Sequence, residues 1–167
     1  DFTGANLERS MFYQSESDNV NFRNADLSYA NLCDFYDNIG SDFTGANFFH
    51  THLSKAQLEG YTFDSVYIES TDFRKAYLIN TDFSKSNLIS ADFAQADLTG
   101  ANLSNLDLSN SNFENANLSN SNLKNSSLRN SNLSGANLSG VDLSSHDLTN
   151  TVLTGANLSN SNLTGID

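Results

Sequence analysis

Basic residues are scarce in this chain: 8 Lys and Arg stand against 20 Asp and Glu among 167 residues, for a formal net charge of -12. Such a balance provides no basic patch able to neutralise a phosphate backbone, so direct nucleic-acid binding is not expected. Long hydrophobic runs are missing as well. The hydrophobic 38% is spread evenly, and no stretch approaches the roughly 20 apolar residues of a membrane-spanning helix. Cysteine is limited to Cys33, which rules out an internal disulfide framework and a multi-cysteine metal site. It fits a reducing compartment, and the cytoplasm is the expected location. The three histidines, His50, His52 and His146, are too few and too differently placed for a ligand cluster, so neither a metal nor another cofactor is expected. The chain opens at Asp1 inside a repeat, without a signal-peptide pattern; a processed leader would be absent from it.

What the chain has in excess is order. From Phe43 to Leu163 there are 25 successive central positions spaced five apart, and all are Leu or Phe except Ile68. That period fits neither an amphipathic helix nor a simply alternating strand. Two positions before each centre sits a small or slender residue, as at Ala46, Thr51, Ala56, Val66, Thr71, Ala76 and Ala101. One position before it is usually Asp or Asn, and after it comes a polar pair such as Ser-Asn or Thr-Gly. The small residue and the centre are two apart, so both point inward from a short extended step while the Asp or Asn between them points outward. The polar pair then turns the chain, a task for residues that tolerate left-handed backbone. Four such steps close a square coil of about twenty residues, and stacked coils pair backbone with backbone.

With stretches such as Ala101-Asn102-Leu103-Ser104-Asn105 and Ala136-Asn137-Leu138-Ser139-Gly140, the chain resembles the pentapeptide-repeat proteins over essentially its whole length. The resemblance implies an all-β fold, a right-handed quadrilateral β-helix of about eight four-sided coils, with residues 1–167 forming one domain. It says little about activity, although some members of that family protect DNA gyrase from quinolones by imitating duplex DNA.

The coil length can be checked within the chain. Phe43, Phe63 and Phe83 fall in one column, and Phe73, Phe93 and Phe113 in a second on the opposite face, so stacked rings should fill a narrow core beside small neighbours. Phe2 and Phe22 are twenty apart but Phe43 follows after twenty-one, which places one inserted residue between Leu32 and Phe43. Ser17 takes a central position one coil earlier. An irregular, bulged corner is therefore expected near residues 33–42. Exposed coil ends invite stacking, and the regular carboxyl-terminal coils suggest a homodimer by end contact.

Three groups of residues are candidates for function. Exposed apolar side chains form the first: Phe49 and Ile89 share an outward position two coils apart with Glu69 between them, Tyr67 lies on the same face, and Tyr77 and Ile79 point outward from the neighbouring one. They mark a protein-binding patch. The second is the irregular corner, where Phe35, Tyr36, Asp37, Asn38 and Ile39 break the pattern beside Cys33. The third is acidic. Residues 1–110 hold 16 acids and 6 bases, against 4 and 2 in 111–167, and Asp64, Glu69, Asp72, Asp82, Asp92, Asp97 and Asp107 would serve a DNA-mimicking rod. Asp at these sites also has a plainer role, as a turn hydrogen-bond acceptor and solubilising residue. Nothing beside Cys33 is poised to activate a nucleophile, His146 falls where a small inward residue belongs, and the carboxylates lie on convex faces without a pocket. The expectation is a non-catalytic interaction or regulatory protein with a protein partner. The alternatives are a DNA-mimicking inhibitor or protector of gyrase or another topoisomerase, and a structural module of a longer polypeptide.

Overall fold

The computed structural model describes residues 1–166, apart from the side chains of Asn38 and Ile39. Each pentad makes one extended step and one tight turn. The centre's amide donates to the Asp/Asn-position carbonyl of the next coil, as from Phe63 to Asp82 at 2.9 Å. The Asp82 amide in turn donates back to the Tyr61 carbonyl at 2.7 Å. Within a coil, the inward residue closes the turn onto the preceding centre, as from Ala76 to Phe73 at 3.0 Å. The second turn residue has positive φ, for example 61° at Lys75, 62° at Asn105 and 63° at Asn110, the geometry of a type II turn. Asn tolerates this conformation best among residues with a Cβ. The Asn series from 105 to 130 is thus turn chemistry.

Parallel pairing at twenty-residue spacing runs through the chain and stacks the coils into a right-handed quadrilateral β-helix. Its four faces follow in chain order. Face one carries Asp26, Asn47, Tyr67 and Asn87; face two carries Asn31, His52, Asp72, Asp92 and Asn112. Face three carries Tyr36, Gln57, Tyr77, Asp97 and Asn117, and face four carries Thr62, Asp82 and Asn102. Every Leu, Phe or Ile centre from Phe22 to Leu143 is buried. The two ring columns form as the periodicity predicts: Phe63 and Phe83 stack at 4.9 Å, and Phe73–Phe93 and Phe93–Phe113 at 5.1 Å. The columns meet edge to face across the core, with Phe73 and Phe83 5.9 Å apart. Such pairs contribute about 0.5–1.5 kcal/mol each beyond their buried area.

The inserted residue sits in a bulge on face three. Strand β1 (Glu16–Asp18) and strand β2 (Tyr36–Ile39) pair in parallel, Ser17 with Asp37 but Asp18 with Ile39, so Asn38 is the extra residue. Here the inward-facing centres are Ser17 and Asp37 rather than Leu, and burying them requires partners. Tyr61, placed in a normally small inward position, donates its hydroxyl to Asp37 and accepts the Ser41 amide at 3.0 Å. The Ser41 hydroxyl lies 3.1 Å from that of Ser17 and accepts the Val20 amide at 3.0 Å. The corner is closed by a buried polar network, and Phe35 packs into the core beside it with 1% exposure.

His146 marks a second irregularity. Inward Thr residues donate to the centre carbonyl of the coil before, as Thr71 does to Phe48 and Thr151 to Leu128. His146 makes the equivalent bond from Nε2 to the Leu123 carbonyl at 2.8 Å. The ring is larger than the site, and the following Asp147 makes no parallel bridge to the coil below.

Two stability measurements test these readings. Tyr61→Phe should lose about 1–3 kcal/mol in chemical denaturation, because the buried Asp37 carboxylate gives up the hydroxyl's hydrogen bond while keeping that of the Ser41 amide at 3.0 Å. His146→Thr keeps the donor and lets the seam close. Its melting temperature should rise by a few degrees, corresponding to about 1 kcal/mol, where a drop would show that the imidazole fits the site.

Candidate functional site: an aromatic corner

The turn pairs between faces one and two build a continuous exposed cluster. Tyr29 and His50 are the positive-φ residues of successive turns, at 58° and 53°, so their rings project outward from the corner. They stack at 5.2 Å with planes 19° apart. Phe49, the first residue of its turn, meets Tyr29 edge-on at 5.7 Å and His50 at 4.2 Å. On its other side lies Tyr67 at 6.0 Å. One coil before Tyr29, the Arg9 guanidinium sits 5.5 Å from that ring's centroid. One coil after Phe49, Glu69 accepts the Tyr67 hydroxyl through Oε2; this donation raises the Tyr67 pKa, since ionising would lose it. Tyr29 is 44% and Tyr67 40% exposed. Phe49 and Ile89 are half-buried.

The sequence places Phe49, Tyr67 and Ile89 on this surface but not Tyr29, His50 or Arg9. The signal for them was the twenty-one-residue step, which sets Tyr29 over His50 rather than over Phe49. The other apolar candidates are separate. Tyr77 is exposed and Ile79 half-buried beyond it, and Tyr36 shares face three with Tyr77, with Gln57 between them. Phe35 is a correction: it is buried because the bulge follows it, so it cannot contact a partner. Of the expected corner, the Asn38 and Ile39 side chains lie outside the described residues.

The seven acids do not share a face. Asp72 and Asp92 pair on face two, Asp97 lies on face three and Asp82 on face four. Asp107 follows the face-one register, whereas Glu69 and Asp64 occupy turns at two different corners. Most serve the backbone. Asp82, Asp92, Asp97 and Asp107 each accept the amide two residues on, at 2.9–3.1 Å. Asn residues fill the same role and extend it, as when Asn102 Nδ2 donates to Asp82 at 3.0 Å. The Ser65 hydroxyl and then Lys85 hold Asp64 below the usual carboxylate range.

Burial pushes the Cys33 thiol up, the opposite of nucleophile activation. His52 lies 3.7 Å from Asp72, apart from the His50 cluster. Against the expectation of purely convex faces, a recess of about 460 Å³ opens beside the bulge, lined by Asp37, Asp42, Phe43, Glu59, Tyr61 and Asp64 among others. Two of its acids are paired, Asp42 with Arg23 at 2.9 Å and Asp64 with Lys85 at 3.3 Å. Among the described residues no helix is long and apolar enough to cross a membrane.

Comparison with known proteins matches the chain to the family described as pentapeptide repeats, in 8 copies over residues 1–35, 39–63, 67–105, 107–144 and 131–167. The first break falls at the bulge. No curated protein gives a significant match. Among solved structures, the chain is similar to QnrB1, a plasmid-mediated fluoroquinolone resistance protein, at 24% identity over 99% of this chain and 87% of that one, with a TM-score of 0.47. It is also similar to a pentapeptide repeat protein of the Arabidopsis thaliana thylakoid lumen, at 29% identity over 64% and 68% with a TM-score of 0.44. A third is HetL of the cyanobacterium Nostoc, involved in heterocyst differentiation regulation, at 26% identity over 94% and 88% with a TM-score of 0.37.

Asp72 shows how firmly some acids are held. Burial disfavours its charge, yet the Arg74 side chain at 2.7 Å and the Arg74 amide outweigh this, and its pKa lies below the ordinary value. The resulting stabilisation is present above the unfolded carboxylate pKa of about 3.9 and is lost as pH falls through the lower folded value. Arg74→Met should therefore be less stable than the parent at neutral pH, by no more than about 1 kcal/mol for this half-exposed pair. The gap should close in acid. A carboxylate NMR titration should show Asp72 moving upward in the variant; an unmoved Asp72 would refute the pairing.

Proposed function

The chain belongs to the pentapeptide-repeat family, and on that premise we propose that it is a non-catalytic interaction protein whose rigid rod presents the aromatic corner to a protein partner. The continuity of Tyr29, His50, Phe49 and Tyr67 on one corner carries this reading. Clustered, exposed Tyr rings have the composition of binding hot spots, and here they are bordered by Arg9 and Glu69. The scaffold fixes them: each ring stands on a turn or step whose backbone is bonded to the adjoining coil, as Tyr29 is to Phe49 at 2.9 Å and Tyr67 to Ala46 at 3.1 Å. A partner therefore meets preorganised rings and loses less ordering entropy on binding.

A DNA-mimicking rod that occupies gyrase is supported less well. It needs carboxylates aligned along one approach surface, whereas these are distributed over four faces and largely engaged in turns or ion pairs.

The test is affinity capture by the immobilised protein from its native extract, comparing the parent with Tyr29→Ser/Tyr67→Ser and with Tyr77→Ser. The double variant should retain the parent's melting temperature and lose a specific partner by about tenfold or more, while Tyr77→Ser keeps it. Equal retention by all three would reject the corner.

A further inference from the structure

We infer that the aromatic corner recognises an arginine-bearing segment of its partner, a guanidinium being received against Tyr67 and Phe49 with Glu69 as its counter-ion. This rests on the corner being a docking surface and adds the chemistry of what docks.

The corner already holds one guanidinium. Arg9 lies 5.5 Å from the Tyr29 centroid and 3.3 Å from Glu8, so a cation there has both a ring and a carboxylate. The same pairing of groups recurs two coils away without a resident cation. Tyr67 is oriented by donating its hydroxyl to Glu69 Oε2 and by its contact with Phe49, while Glu69 Oε1 has no partner among the described residues. A ring face beside a carboxylate suits a planar guanidinium, which stacks and donates at the same time. Lysine offers a compact, strongly hydrated charge and gains less from the ring. Charge complementarity points the same way: the chain carries a net charge of -12, with 16 of its 20 acids in residues 1–110, the part that contains the corner. A cationic segment is attracted at long range and an acidic one repelled.

Arg9 also allows a test that separates recognition from structure. If it is a built-in occupant, Arg9→Gln removes a like charge and frees one face of Tyr29, and binding of an arginine segment should tighten. If Arg9 merely supports the corner, the same change should weaken it.

The experiment is an NMR titration of the whole protein, following aromatic ring signals, with short capped peptides alternating glycine with arginine, lysine or leucine. The arginine peptide should shift the Tyr29, His50 and Tyr67 rings, leave Tyr77 unmoved, and bind several-fold more tightly than the lysine peptide. Glu69→Gln should weaken it about tenfold or less, and Tyr29→Ser/Tyr67→Ser should abolish it while the Phe83 and Phe93 signals of the core stay in place. Equal binding of the arginine and lysine peptides, or shifts confined to residues away from the corner, would overturn the inference in favour of general charge attraction. Weaker binding in Arg9→Gln would also overturn it. Corner shifts with the leucine peptide alone would leave the docking surface standing and remove its arginine specificity. Silence of the corner with all three, together with unchanged partner capture by the double variant, would end both.

Discussion

Everything in this molecule depends on each coil lying in register on the one before it, so that backbone amides and carbonyls pair at twenty-residue spacing. The spacing between coils leaves room for a Leu or Phe at each centre and a small residue two positions earlier, and for little else. Where the chain departs from that rule, a polar contact replaces the missing fit. Tyr61 reaches across to Asp37 at the bulge, and His146 reaches the Leu123 carbonyl that a threonine would otherwise serve. Both departures leave the adjoining coils in register, because a solenoid transmits strain mainly to nearest neighbours.

The same constraint explains the acidity. A residue one before the centre points outward, and where it is Asp or Asn it accepts the turn amide two positions ahead, as Asn47 and Asp82 do. The charge of the rod is therefore largely a by-product of turn chemistry, and side chains at these positions are held rather than free. Asp72, clasped by Arg74, and Asp82, which accepts the Ser84 amide, are examples. The long-range field survives this engagement, which makes the rod attractive to cations without forming a focused acidic stripe.

Turn side chains are set by neither core size nor the ladder, and the restriction on them is the positive φ of the second residue of each pair. Most carry Ser, Asn or Gly. At the corner of Tyr29, Phe49 and His50 they carry rings instead, and those rings touch one another and continue into Tyr67. The repeat itself does not call for rings at these positions.

The five-residue period alone determined the β-helix, the two phenylalanine columns, the role of the Asn turns and the bulge, since each follows from counting positions against a rigid repeat. It also brought Phe49, Tyr67 and Ile89 to one surface, because their spacing is regular. It could not place Phe35 correctly, nor join Tyr29 and His50 to the patch. Both depend on where the single extra residue is absorbed, and a one-residue shift changes which side chains lie over each other without altering the repeat on either side. That location was decided by the buried contacts of Ser17, Asp37, Ser41 and Tyr61, which lie up to 44 positions apart in the chain and become neighbours only once the coils have stacked.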